Sequence, residues 1–197
     1  YDVEVTELFV FDPASGATTR VAADIPDNLP GRGLPGVDFF AIAPEGNEVV
    51  FVGPPRDGGR FAGAVYAAPV ADAGAARVLA DCGPSDTVGS ASRGGCDGLL
   101  LAPTGEWAAF SDAGGLHVVD LAGGPPRTLA AVVSETQGGV EGVHRPRSWS
   151  PDGRFLITSV GYYEGSGNVV WDVETGTPRD LGVFEYVGPG SDLGWLP

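Results

Sequence analysis

The chain has 197 residues, with 32 Gly and 17 Pro set against 43% hydrophobic residues that include nine Phe and four Trp. Twenty-six acidic and 11 basic side chains leave a formal net charge of −15, and every basic residue is Arg. A lysine-dependent P-loop or Schiff base and a phosphate-reading basic patch are therefore excluded, and no apolar run reaches the roughly 18 residues that a bilayer span requires.

In chain order, the first β-type run is Leu8-Phe9-Val10-Phe11, followed by a turn at Gly16 and a short strand through Arg20. Phe39-Phe40-Ala41-Ile42 then meets a tight turn, Pro44-Glu45-Gly46, and continues as Val49-Val50-Phe51-Val52. The same strand–turn–strand grammar recurs at Leu99-Leu100-Leu101, Pro103-Thr104-Gly105 and Trp107-Ala108-Ala109-Phe110. It recurs again at Ser148-Trp149-Ser150, Pro151-Asp152-Gly153 and Phe155-Leu156-Ile157-Thr158. A second turn, at Gly16, Gly74, Gly124 and Gly176, precedes Arg20, Arg77, Arg127 and Arg179 by three or four residues and alternates with the first.

A period of about 46 to 59 residues holding four short strands predicts an all-β fold made of β-propeller blades. Solenoid coils need a shorter repeat, and an immunoglobulin-like sandwich has no such period. With strands labelled A to D from the centre outward, residues 5–23 supply a C–D pair. Full blades are predicted at 37–80, 97–131 and 146–183, and residues 192–197 supply the first strand of a next blade. The opening at Tyr1, with neither an initiator Met nor a signal peptide, reads as a mature or excised piece. A partial blade exposes an unpaired edge. The expectation is a segment of a larger propeller, the alternatives being a shared incomplete fourth blade or completion by another chain.

Arg147-Ser148-Trp149-Ser150-Pro151-Asp152-Gly153-Arg154 resembles the WSPDG signature of TolB-like (PD40) propeller repeats. The hairpin that follows the signature in that family is matched by His117-Val118-Val119-Asp120-Leu121 with Gly124 and Leu129. It is matched again by Val169-Val170-Trp171-Asp172-Val173 with Gly176 and Leu181. The first two Pro-x-Gly turns depart from the signature, with Ile42 and Leu101 at the Trp position and Glu45 and Thr104 at the Asp position. The resemblance implies the fold. Its members include periplasmic assembly proteins and the propeller domains of prolyl-oligopeptidase-like hydrolases.

Catalytic constellations are sparse. Gly31-Arg32-Gly33-Leu34-Pro35-Gly36 matches G-x-G-x-x-G, but prolines flank it and a strand follows where a dinucleotide site needs a helix. Gly165-Ser166-Gly167 lacks nucleophile-elbow spacing. No His, Cys or carboxylate spacing suggests zinc or calcium, so neither a metal nor a cofactor is expected. His117 occupies a packing position, Asp152 serves its turn, and His144 lies beside Arg145 and Arg147 in a basic cluster between blades.

In an up-and-down blade the A–B and C–D turns share one end and the B–C and D–A connections the other. The long segments at 24–36, 53–63, 81–97, 132–145, 161–167 and 184–191 all belong to the second end, where binding residues concentrate on a rigid scaffold. The candidate partner-binding residues are Arg32, Arg56, Arg60, His144, Arg145, Arg147, Tyr162, Tyr163 and Tyr186, because Arg and Tyr favour interfaces. The two cysteines, Cys82 and Cys96, stand in one interblade loop without C-x-x-C spacing. They predict a disulfide, and with it a periplasmic, cell-surface or extracellular location. The expected function is a non-catalytic exported propeller that binds a protein partner or further blades. The alternative is an accessory propeller of a prolyl-oligopeptidase-like serine hydrolase.

Overall fold

Each Pro-x-Gly turn closes in the same way. The amides of Ala43, Ala102 and Ser150 donate to the carbonyls of Glu48, Trp107 and Phe155 at 2.8 Å, and the turn glycine donates back to the residue before the proline at 2.8–2.9 Å. The computed structural model describes residues 8–21, 40–53, 63–70, 75–82, 96–112, 114–131, 133–135, 140–142, 144–162 and 165–179.

Three four-stranded antiparallel sheets follow, each in simple up-and-down order. The first is β3 (Phe40–Ile42), β4 (Glu48–Gly53), β5 (Gly63–Pro69) and β6 (Arg77–Cys82). The second is β7 (Asp97–Leu101), β8 (Trp107–Asp112), β9 (Gly115–Asp120) and β10 (Arg127–Ala131). The third is β13 (His144–Trp149), β14 (Phe155–Tyr162), β15 (Gly165–Asp172) and β16 (Thr177–Arg179). Two hairpins complete the described elements: β1 (Leu8–Phe11) with β2 (Thr18–Val21), and β11 (Val133–Glu135) with β12 (Val140–Gly142). No α-helix occurs among the described residues, and none there is long and apolar enough to cross a membrane. The lone strand expected at 192–197 lies outside the described residues.

The sheets stack face to face, and period-2 alternation supplies both faces of the middle one. Val50, Val52, Val65 and Ala67 of the first sheet pack with Ala108, Phe110 and Val119 of the second. Ala109, Leu116 and Val118, on the opposite face of the second sheet, pack with Trp149, Leu156 and Trp171 of the third. The first strands of successive sheets lie against one another, β3 against β7 and β7 against β13, as blades do around a common axis. The A–B turns also touch in sequence. A Cβ on Gly105 would stand 3.1 Å from Pro44 Cδ, and one on Gly153 2.8 Å from Thr104 Oγ1, so successive turns approach closely, and their φ of +75° and +70° favour glycine at both.

Three expectations about connections are corrected. Segment 132–145 is no simple loop, because it holds the hairpin β11–β12 and its last residues begin β13. Segment 161–167 is not a loop either: β14 and β15 stay paired as far as Tyr162 with Gly165. Glycines there offer no side-chain alternation to read, but their backbone groups still complete the ladder. Nor do the long connections all lie at the second end, since residues 70–76 form the C–D connection of the first sheet while the B–C connection of the second, 113–114, has only two residues.

Candidate functional site

At the end of the sheets opposite the Pro-x-Gly turns, β13 begins, β14 ends and the β11–β12 hairpin approaches β14. His144, the first residue of β13, is half-buried and pairs with Val160 in the ladder. Its carbonyl accepts from Ser111 Oγ of the second sheet, its Nδ1 lies 3.2 Å from Thr158 Oγ1, and its ring meets Trp171 edge-on at 5.4 Å. Trp171 Nε1 donates to the same Thr158 hydroxyl at 3.1 Å. Burial lowers the His144 pKa from its ordinary value, so the neutral imidazole is favoured against Thr158 and Trp171 of its own sheet.

Arg145 and Arg147 are exposed. Arg145 pairs with Ser159, on the face of the third sheet turned away from Leu156 and Trp171. A register shift after Pro146 brings Arg147 to the same serine, and its Nε donates to Ser159 Oγ at 2.7 Å. Tyr162 closes β14 at this end, with its backbone paired to Gly165. The structure thus gathers His144, Arg145, Arg147 and the Tyr162 backbone at β13–β14. Arg32, Arg56, Arg60, Tyr163 and Tyr186 lie outside the described residues.

Cys82, the last residue of β6, is bonded to Cys96, just ahead of β7, with their Cα atoms 5.4 Å apart. Both are buried in the cluster between the first two sheets. The bridge therefore ties one sheet to the next at the candidate end.

Sequence reasoning missed one polar network. His117 Nε2 lies 2.7 Å from Asp112 Oδ1, and His117 Nδ1 lies 3.1 Å from Thr128 Oγ1. Hydroxyl, imidazole and carboxylate in a row have the connectivity of a nucleophile triad. Asp112 Oδ1, however, also accepts the Gly114 and Gly115 amides, and the imidazole stacks on Phe110 at 5.2 Å. The network joins β8, β9 and β10, so His117 is a satisfied packing residue. Only the spacing of Asp112 and His117 around a Gly-Gly turn signalled it. Asp152 likewise serves its turn: its Oδ1 accepts from Ser150 Oγ at 2.5 Å and from the Arg154 amide at 3.1 Å, bonds that lower its pKa. Among the described residues no cluster of His, Cys and carboxylates could hold a metal ion.

No protein-family model matches the sequence, and no curated protein matches it. Among solved structures, the chain is similar to a protein assigned as a dipeptidyl aminopeptidase IV from Bacteroides ovatus, at 11% identity and a TM-score of 0.59. The match covers 87% of this chain and 25% of that one. It is similar to an oligogalacturonate lyase solved in complex with manganese, at 16% identity and a TM-score of 0.52, over 89% of this chain and 46% of that one. A protein assigned as TolB from Agrobacterium tumefaciens matches at 16% identity and a TM-score of 0.47, over 71% and 43% of the two chains. The chain therefore spans less than half the length of each of these proteins. What it shares with those above a TM-score of 0.5 is the fold, and its three four-stranded antiparallel sheets are the blades of a β-propeller.

Proposed function

We propose that this propeller is a non-catalytic, exported scaffold that binds a protein partner through the end of its blades opposite the Pro-x-Gly turns. The observation that carries the reading is the crossover between the second and third sheets, which raises β11–β12 beside β14 at the end where His144, Arg145 and Tyr162 stand. Arg and Tyr combine a large contact area with polar groups, and a basic strand in a chain of net charge −15 favours an acidic or aromatic partner surface. Arg32, Arg56, Arg60, Arg147, Tyr163 and Tyr186 belong to the same proposed surface. The buried Cys82–Cys96 bridge supports a periplasmic, cell-surface or extracellular location, where disulfides persist.

A photo-crosslinking side chain at Tyr162, compared with one at Ala122 in a C–D turn at the other end, tests the reading in the exporting cell. Crosslinks to a protein from position 162 and none from 122 are expected. Crosslinks from 122 alone would reject the proposed end. The second reading is an accessory propeller of a prolyl-oligopeptidase-like hydrolase. The similarity to the dipeptidyl aminopeptidase-type structure brings it forward, and the open reading frame around these residues discriminates, because a G-x-S-x-G domain there would favour it.

A further inference from the structure

The polar network of the second sheet ends on one accessible oxygen. Asp112 closes β8, His117 lies in β9, and Thr128 lies in β10 directly opposite His117 in the ladder. The Asp112 and His117 side chains are only 8% and 13% exposed, whereas Thr128 is exposed. A register shift follows Thr128 at once, leaving Leu129 as an extra residue before Ala130 pairs with Leu116. Bulges of this kind re-aim a neighbouring side chain.

The packing of the imidazole is what fixes its proton. An ionised carboxylate only accepts, so Nε2 of the neutral ring carries the hydrogen that Asp112 Oδ1 receives at 2.7 Å. Nδ1 is then the acceptor, and it takes the hydrogen bond of the Thr128 hydroxyl at 3.1 Å. The Gly114 and Gly115 amides hold Asp112 Oδ1 from behind, and Phe110 stacks on the ring. A base held in place by an oriented carboxylate is the arrangement that activates a hydroxyl nucleophile.

We propose that Thr128 is a self-acylation site, which accepts one acyl group from an activated carboxylic ester. Thr128 Oγ1 forms a bond to the acyl carbon and the bond from that carbon to the leaving oxygen breaks. The hydroxyl proton passes to His117 Nδ1 and then to the leaving oxygen, giving acyl-threonine and a free alcohol or phenol. Asp112 is a positioning residue that steadies the imidazolium during the transfer. The step is stoichiometric, and it rests on the geometry of the second sheet rather than on the proposed partner-binding role.

The test incubates the full 197-residue chain with p-nitrophenyl acetate and locates acetyl groups by intact mass and peptide mapping. The chain has no lysine to compete. One acetyl group on Thr128 is expected, and none on Thr18, an exposed strand threonine that pairs with Phe11. Thr128→Val should abolish the modification and Thr128→Ser should retain it. His117→Gln should slow it by about a hundredfold, the lower end of general-base assistance, with circular dichroism checking the fold. A normal solvent deuterium isotope effect on the wild-type reaction is expected too, because the proton is in transit to nitrogen. That measurement tests the base even where His117→Gln does not fold. An unmodified Thr128, equal acetylation of Thr18, an equal rate in folded His117→Gln, or the absence of an isotope effect would each overturn the proposal.

Discussion

Arg77, at the start of the outermost strand of the first sheet, donates Nη2 to the Leu121 carbonyl of the second sheet at 2.6 Å. One sheet further on, Arg127 repeats the contact, with Nη2 donating to the Val173 carbonyl and Nη1 to the Glu174 carbonyl at 2.9 Å. Leu121 and Val173 are equivalent residues, because the amide of each donates over the preceding A–B turn at 2.9 Å, to Glu106 and Arg154. The arginines after the C–D turns of the first and second sheets therefore latch their blades to the next. Arg179, which ends the third sheet, instead lies over Phe155 at 4.5 Å and 3.8 Å from Asp172.

Arg77→Ala and Arg127→Ala should each cost about 1 kcal/mol, the scale of a charge-assisted hydrogen bond to a carbonyl discounted for an exposed side chain. The two latches act at different interfaces, so the double variant should show close to the sum. Arg→Lys at either site should recover only part of the loss, because an ammonium does not reproduce the guanidinium's planar fork. Urea midpoints of the five variants check all three statements.

Gly115→Ala should be severely destabilising, by about 3 kcal/mol or more, because two penalties coincide. Its φ is +135°, and an added Cβ would stand 2.0 Å from the Ala130 carbonyl oxygen, inside the β9–β10 ladder. Gly16→Ala supplies the control. That residue also has a positive φ, +71°, but with nothing within 4 Å, so about 1 kcal/mol is expected. Equal losses in thermal or urea unfolding would show that the close approach to Ala130 is unimportant.

Reducing the Cys82–Cys96 bridge, or replacing both residues with Ser, should lower stability by about 3 kcal/mol in the chain-entropy account of a loop of this length. The two residues are 14 apart in sequence and buried between the first two sheets, so thiol alkylation should require denaturation together with reductant. Intact mass after alkylation of the native, unreduced protein reads this directly. Two modified thiols under those conditions would contradict the bridge.

Stability should decline as the pH falls through about 6.5. Burial holds the His144 pKa below its ordinary 6.5, so the unfolded chain takes up a proton there before the folded one does. The contribution is fully present above the unfolded value and is lost as the pH drops toward the depressed folded value. Among the described residues, the imidazole meets the Thr158 hydroxyl and the Trp171 ring, and neither carries a charge. His144→Gln should remove this step.

A separate acid limb, below the ordinary carboxylate value of 3.8, should survive that variant, because three depressed aspartates stabilise only while ionised. Ser15 Oγ and the Ala14 amide lower Asp12, and Ser150 Oγ and the Arg154 amide lower Asp152. At Asp172, burial works upward but is outweighed by the Thr175 amide and the Arg154 guanidinium. Urea midpoints measured from neutral to acid pH, with and without His144→Gln, separate the two limbs.

The blade architecture was legible in the sequence because its signals are local. A proline, a turn residue and a glycine fix a tight reversal, and alternating apolar residues on either side mark two strands with defined faces. Phe110 and Val119 against Ala109 and Val118 show that alternation carried into two separate cores. The two cysteines were equally legible, since one loop left them a single pairing.

The β11–β12 hairpin escaped because its strands are three residues long and separated by Thr136-Gln137-Gly138-Gly139, which read as loop. The extension of β14 and β15 to Tyr162 and Gly165 escaped because glycines carry no pattern. The arginine after each C–D turn could be seen as a repeat, but its role could not. Arg77 and Leu121 are 44 residues apart, and only the stacking of one sheet on the next brings a guanidinium to that carbonyl. The same holds for Phe40 and Ile42, whose apolar character the sequence determined by itself. Whether such residues are core or open surface depends on what stands in front of them, and only the tertiary structure decided that.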